Sequence, residues 1–113
     1  MDGEQAFFER EDRCGVRTLV VAGEIDLATA PAFRRQLDAL INDAHSPAFV
    51  DLTGVTFLDS SGLSVLVHAR RALAAGDVEL VLLNPSRLVR KVLEVSGIGA
   101  LFEIRCHATK GDR

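Results

Sequence analysis

The sequence predicts one α/β domain, with a mixed, largely parallel sheet of about four to five strands and helices mainly on one face. The 113 residues match the length of one small domain, and 48% hydrophobic residues with 26% charged residues are ordinary for a globular protein. Short apolar runs alternate with segments of helical periodicity in the order β-β-α-β-α-β-α-β. This alternation is typical of right-handed βαβ crossovers over parallel strands, and the few predicted helices suffice for one face.

A two-strand hairpin is predicted at the start of the chain. Residues 5–10 are expected to form a short edge strand with Phe7 or Phe8 turned inward, and residues 10–15 a turn. Residues 16–23 contain the run Leu-Val-Val-Ala before a glycine, which favours a second strand.

The first helix follows a predicted loop at residues 23–27. Thr29 and Pro31 suit its first turn, because this is where capping hydroxyls and proline are favoured in helices. Apolar side chains then recur at helical spacing, at Phe33, Leu37, Leu40, Ile41 and Ala44.

The middle of the chain predicts a buried strand and a second helix. Ala48–Leu52 is a short apolar run, and residues 53–58 are expected to form a loop after it. The helix begins at about Ser61, and Gly76 is placed to end it in a left-handed conformation. Its narrow apolar face consists mostly of small residues, namely Gly62, Val65, Leu66, Ala69, Ala72 and Leu73.

The last part of the chain predicts two strands around a third helix. Val78–Leu83 is the clearest strand, and the helix is capped by Ser86 and ended by Gly97. Leu101–Ile104 is expected to add a short strand. Residues 105–113 then form a polar tail, so that one domain fills residues 1–113 with its core at about 5–104.

Composition and charge exclude several classes of function. A net charge of −3 and a pI near 5.5 do not suit binding to nucleic acid, and there is no Tyr or Trp to stack on bases. The start of the chain has no signal-peptide pattern, and no apolar run approaches the ~20 residues of a membrane helix. With only two cysteines, Cys14 and Cys106, a cytoplasmic location is expected.

Common catalytic and cofactor motifs are missing, so the chain is not expected to be an enzyme. Ser60 and Ser61 lack the Gly-x-Ser-x-Gly pattern of hydrolases, and no histidine is clearly placed to serve them. Cys106 and His107 do not have metal-ligand spacing. No phosphate-binding glycine loop is present either. No cofactor, metal or catalytic residue is therefore predicted.

Three aspartates offer an alternative that involves acyl-phosphate chemistry. Asp26, Asp51 and Asp59 each lie at or just past the end of a predicted strand, where open α/β sheets bind ligands. Together they could hold Mg²⁺ and accept a phosphoryl group, as in receiver domains. The lysine that such domains place after a late strand is absent, and for Asp51 an ordinary structural role is preferred.

The stretch Asp59-Ser60-Ser61-Gly62 predicts a helix start that could carry a phosphate. Aspartate and serine cap helices, and the free N–H groups of the first turn favour an anion. A phosphoserine brings roughly −1.5 to −2 charges at neutral pH. Beside Asp59, and near Glu24 and Asp26 if their loop is close, it would repel an acidic or close-fitting partner without unfolding the domain.

These residues resemble the STAS domain family, and within it the bacterial anti-sigma factor antagonists. The resemblance runs from about Val16 to Ile104 and rests on the element order, on Gly-Glu-Ile-Asp at 23–26 and on Phe-Leu-Asp-Ser-Ser-Gly-Leu at 57–63. It implies binding to an anti-sigma factor, which is itself a serine kinase of the histidine-kinase-like ATPase fold. That kinase would phosphorylate the antagonist and release it, and a PPM-type phosphatase would reverse the step.

The resemblance also implies a set of site residues. Ser60 would accept the phosphate, with Ser61 as the second choice, and the free protein would be a monomer. Partner contacts would come from Glu24, Asp26, Asp59, Ser61 and Gly62, of which Gly62 would allow close backbone approach. Some members of the family instead serve as constitutive subunits of stressosomes or lipid-transport ABC systems, and that alternative stays open.

Overall fold

The computed structural model describes residues 6–13, 16–43 and 47–106, and within them the predicted order of elements is confirmed. The strands are β1 (Ala6–Arg13), β2 (Val16–Ile25), β3 (Ala48–Leu58), β4 (Leu80–Leu83) and β5 (Glu103–Arg105). The helices are α1 (Ala30–Asp43), α2 (Ser60–Ala74) and α3 (Arg87–Ser96), and a 3₁₀ turn follows at Ile98–Leu101. None of the helices in these ranges is long and apolar enough to cross a membrane.

The sheet is mixed and largely parallel, as the sequence predicts. Its spatial order is β1-β2-β3-β4-β5, with β1 antiparallel to β2 and the remaining neighbours parallel. Each crossover therefore moves to the next strand in the same direction. Right-handed crossovers that all advance in one direction place all their helices on the same face of the sheet.

Burial confirms that the helices share one face. Alternate strand residues join a single aliphatic core with the inner faces of the helices, among them Leu19, Val21, Val50, Leu52, Leu82, Phe33, Leu37, Leu66 and Leu93. Val81 points the other way along β4 and is outside that cluster, although it is fully buried. The core therefore lies between the helical layer and one side of the sheet.

The first hairpin is longer than the sequence predicts, and the expected turn at residues 10–13 is wrong. β1 continues to Arg13, which pairs with Val16, so only residues 14–15 connect the strands, and these lie outside the described residues. Charged side chains suit an edge strand, because one side of it faces solvent. Phe8 is the inward residue and stacks on Phe33 at 5.9 Å between ring centroids, whereas Phe7 is 62% exposed.

The predicted loops at 23–27 and 53–58 are largely strand. β2 extends to Ile25 and β3 to Leu58, and these two end residues are register partners. Gly54, within the predicted loop, lies where the strands approach closely, since an added Cβ would come 2.9 Å from the Cβ of Ala22. Backbone pairing with β2 thus continues β3 through Gly54 and on to the start of α2.

Helix and strand ends match the sequence in part. Ser86 caps α3 and Gly97 ends it with φ 78°, as predicted. Gly76 does not take the left-handed conformation, which falls on Asp77 with φ 61° instead. The last strand begins two residues later and ends one residue later than expected, because the 3₁₀ turn occupies residues 98–101. Ala44 and most of the predicted tail lie outside the described residues.

Candidate functional site

The ends of β2 and β3 bring two predicted site residues together. Ile25 and Leu58 are register partners, and the backbone N–H of Asp59 donates to the carbonyl of Ile25 at 3.1 Å. Asp26 and Asp59 therefore leave the sheet side by side, at the edge where the parallel strands end. Glu24 is exposed one residue before Ile25, so three carboxylates stand at this edge.

Asp59 caps α2 with its side chain. One carboxylate oxygen, Oδ1, accepts from the backbone N–H of Ser61 at 2.9 Å and of Gly62 at 3.4 Å. The carbonyl of Asp59 accepts the first intrahelical bond, from Leu63 at 3.1 Å. Because the carboxylate satisfies these two free donors of the first turn, neither of them needs a serine hydroxyl.

Ser60 is left as an exposed residue with an uncommitted hydroxyl. It is the first residue of α2, and within the described part of the chain its hydroxyl takes part in no hydrogen bond. Ser61 is half-buried. Of the two neighbouring serines, Ser60 therefore has the hydroxyl that is more accessible to an enzyme that transfers a phosphoryl group.

Asp26 organises the loop that faces this helix start. Its Oδ1 accepts from the backbone N–H groups of Ala28 at 3.0 Å and Thr29 at 3.1 Å. The hydroxyl of Thr29 in turn donates to the carbonyl of Glu24 at 2.8 Å. These bonds fold residues 26–29 into a defined turn, so a partner would meet a preformed surface.

Leu27 is a residue of this surface that the sequence reasoning did not single out. It lies at the tip of the Asp26 turn and is 78% exposed. Phe57, near the end of β3, is also partly exposed. The sequence did contain a signal for Leu27, because an apolar residue within a turn is difficult to bury.

Gly62 is buried beneath the helix start. An added Cβ would lie 2.8 Å from Cγ2 of Ile25 and would also collide with the side chain of Leu58. The glycine thus lets α2 begin close to the ends of β2 and β3. The close approach that the structure demonstrates is to the chain's own core, and a part for Gly62 in docking stays a prediction.

Asp51 does not join the other two aspartates, and its expected position at a strand end is wrong. It lies inside β3, seven residues before Leu58, which is ~23 Å along an extended strand. Its carboxylate is mostly buried and accepts from the backbone N–H and hydroxyl of Thr53 at 2.9 and 2.6 Å. The predicted trio is therefore not assembled. Within the described residues no group of three or more His, Cys, Asp or Glu could hold a metal ion.

A surface groove of about 610 Å³ runs along α2 from Ser60. Arg34 from α1 and His68 and Arg71 from α2 supply its charged or titratable lining, while Leu63, Val67 and Ile98 supply apolar surface. A guanidinium nitrogen of Arg34 lies 3.1 Å from Nε2 of His68. His68 is exposed, whereas His45 and His107 lie outside the described residues.

A separate charged cluster lies near the other end of α2. A hydrogen bond with Glu103 and repulsion between the two carboxylates raise the pKa of Glu79. The guanidinium of Arg105, 2.6 Å from Glu103, lowers the pKa of that carboxyl by hydrogen bonding. Because Glu79 and Glu103 border the same small pocket as Ala74 in the last turn of α2, this cluster is remote from Ser60.

Comparison with known proteins places these features in one family. A family model described as the STAS domain matches residues 8–112. The "Anti-sigma-B factor antagonist" of Listeria monocytogenes is 36% identical over 87 residues, which cover 77% of this chain and 76% of that protein.

Two solved structures with a similar fold describe one relative in two states. The anti-sigma factor antagonist SpoIIAA in its unphosphorylated form has a TM-score of 0.73 and 28% identity, with coverage of 92% of this chain and 90% of that one. The Bacillus cell fate determinant SpoIIAA in the phosphorylated form has a TM-score of 0.67 and 27% identity, with coverage of 92% and 94%.

Proposed function

This chain belongs to the STAS domain family, and we propose that it is an anti-sigma factor antagonist switched by phosphorylation of Ser60. In the unphosphorylated form it binds an anti-sigma factor, which then releases its sigma factor. The observation that carries this proposal is that the cap of α2 and the free hydroxyl at its start belong to different residues. Asp59 does the capping, so the adjacent Ser60 hydroxyl is exposed and uncommitted.

The position of Ser60 suits a phosphate that changes binding and leaves the fold intact. The phosphate would sit at the N-terminus of a 15-residue helix, where the helix dipole favours negative charge. It would also stand beside the carboxylates of Asp59 and Asp26. The concentrated negative charge would repel a partner that fits closely against this edge.

The comparison structures support a switch of this kind. Chains described as the unphosphorylated and the phosphorylated form of SpoIIAA both resemble this chain, with TM-scores of 0.73 and 0.67. In that relative, a phosphorylated state is therefore compatible with the fold. For this chain we propose that the phosphoryl donor is ATP bound to the anti-sigma factor, a serine kinase of the histidine-kinase-like ATPase fold, and that a PPM-type phosphatase removes the group.

Phosphoryl transfer can be tested directly. The purified protein is incubated with ATP, Mg²⁺ and, in turn, each anti-sigma factor of the kinase type encoded in the same genome, and phosphate is located by mass spectrometry. We expect one phosphate on Ser60, stable to hydroxylamine, and no transfer to Ser60→Ala. A hydroxylamine-labile phosphate on Asp26 or Asp59, or no transfer by any of these kinases, would contradict the proposal.

The charge mechanism can be separated from the effect of bulk. Ser60→Asp and Ser60→Asn have nearly the same size, but only the first adds a negative charge. We expect Ser60→Asn to bind the anti-sigma factor within a few-fold of wild type in titration calorimetry, and Ser60→Asp at least tenfold more weakly, which is about 1.4 kcal/mol. Equal affinities would show that charge at this position does not control binding.

A further inference from the structure

We propose that the groove along α2 is a second docking site, which receives an acidic segment of the anti-sigma factor that also contains apolar residues. This proposal rests on the proposed function, because it extends the same contact away from Ser60. The groove begins at Ser60 and reaches Arg71, eleven residues later in the helix. At ~1.5 Å per residue this is ~16 Å, long enough for a segment of about five extended residues.

The charge of the groove is opposite to the charge of the whole protein. The chain carries a net charge of −3, yet Arg34 and Arg71 line the groove, and among the described residues that line it there is no Asp or Glu. Both arginines are exposed, so their guanidinium groups can reach a carboxylate bound at the surface. Complementary charge across an interface favours an acidic partner and disfavours a basic one.

The contact between Arg34 and His68 lies in the wall of the groove, and the chemistry of the two side chains determines which one donates. A guanidinium can only donate, so Nε2 of His68 is the acceptor in a hydrogen bond across this 3.1 Å contact. The bond joins α1 to α2 across the side of the groove. Arg34 is thereby positioned over the groove while its other N–H groups remain available for an incoming carboxylate.

The apolar side chains of the groove require that the bound segment also contain apolar residues. Leu63 lies just below the surface, and Val67 and Ile98 are half-buried along the same groove. A purely acidic segment would leave this surface without a matching contact. A segment in which carboxylates alternate with aliphatic side chains would satisfy both the arginines and the apolar floor.

The groove gives phosphorylation a second effect on binding. Ser60 is part of the groove lining, so a phosphate on it stands at the end of the channel that the acidic segment would occupy. The phosphate repels that segment and offers the arginines a competing anion. Release of the anti-sigma factor then involves the groove as well as the Asp26 and Asp59 edge.

The test reverses single charges in the groove and measures binding of the anti-sigma factor that phosphorylates Ser60. We expect Arg34→Glu and Arg71→Glu each to weaken binding about tenfold or more, and to reduce its dependence on salt. Arg35→Glu is the matched control, because Arg35 is exposed on α1 next to Arg34 but does not line the groove. It should change affinity by less than about threefold, and all three variants should unfold at the wild-type urea midpoint.

The outcomes separate this proposal from the proposed function. If wild type binds and is phosphorylated while both groove variants bind as well as Arg35→Glu, the second docking site is wrong and the Ser60 switch stands. If wild type is neither bound nor phosphorylated, the proposed function itself fails. If the groove variants changed the sedimentation of the isolated protein but not its affinity for the anti-sigma factor, the groove would be assigned to contacts between copies of this chain. That result would also overturn the proposal.

A double-mutant cycle tests the link to phosphorylation. If the added charge acts partly through the groove, the loss of affinity caused by Ser60→Asp should be at least threefold smaller in an Arg34→Gln, Arg71→Gln background than in wild type. The same loss in both backgrounds would show that the groove and the Ser60 charge act independently. That result would remove the competition between phosphate and partner from the proposal.

Discussion

The starts of α2 and α3 follow neighbouring parallel strands, but they use serine in opposite ways. At α3, the cap is Ser86, whose hydroxyl accepts from the N–H of Val89 at 3.4 Å and donates to the carbonyl of Val55 at 2.9 Å. At α2, the cap is Asp59, and the serine that follows it is free. A serine near a helix start is therefore available for modification only when another residue does the capping.

The two helices also differ at their third residue, which is a valine in α3 and a glycine in α2. Val89 occupies this position in α3 and is fully buried, so the start of α3 has room for a branched side chain. Gly62 occupies it in α2, where even a methyl group would collide with Leu58 and Ile25. α2 thus begins close to the strand ends, and this closeness places Ser60 beside the Asp26 turn.

The largest expected effect comes from enlarging Gly62. Gly62→Ala should lower the free energy of unfolding by about 1–2 kcal/mol, because overpacking costs ~1–3 kcal/mol and alanine's helix propensity returns at most ~1. The change would be measured by urea unfolding. Gly76→Ala is the control, since its added Cβ would approach only the carbonyl of Leu73 at 3.8 Å, and its effect should stay within ~0.5 kcal/mol. Equal effects would mean that the start of α2 is packed no more tightly around Gly62 than the turn after the helix is around Gly76.

A smaller loss is expected from removing the hydroxyl at the start of α3. Ser86→Ala deletes the long 3.4 Å cap bond from Val89 and leaves the carbonyl of Val55 without its donor, which together should cost about 1 kcal/mol. Ser86→Thr keeps the hydroxyl and should recover much of the loss in the same urea experiment. If Ser86→Ala were as stable as wild type, its hydroxyl would be as free as that of Ser60, and the contrast between the two helices would fail.

Sequence reasoning captured the local signals of these two regions better than their surroundings. Ser86, Gly97 and the Asp-Ser-Ser-Gly start of α2 were predictable because caps and left-handed glycines depend on nearby residues. The extension of β3 to Leu58 was not, because pairing with β2 supplies backbone partners that are distant in the sequence, such as Ile25 for Leu58. The same long-range pairing moved Asp51 from an expected strand end to a strand interior.

The groove was also beyond the reach of the sequence. Arg34 and His68 are separated by 34 residues and belong to different helices, so their contact depends on how α1 packs on α2. Arg34 falls outside the apolar positions that helical periodicity predicts for α1, but periodicity gives no rotation of one helix relative to another. Charge patterning alone could therefore not show that these side chains border one channel with Ser60.

The smallest effect is expected at Ser60 itself, and it is the most informative about the switch. Ser60→Ala should change the free energy of unfolding by less than ~0.5 kcal/mol, because its exposed hydroxyl makes no hydrogen bond within the described residues. Asp59→Ala, one residue earlier, should cost about 1 kcal/mol through loss of the cap to Ser61 and Gly62. Urea unfolding of both variants compares neighbours in one helix start. A loss at Ser60 as large as that at Asp59 would give the serine a structural role, and phosphorylation would then disturb the helix as well as the docking surface.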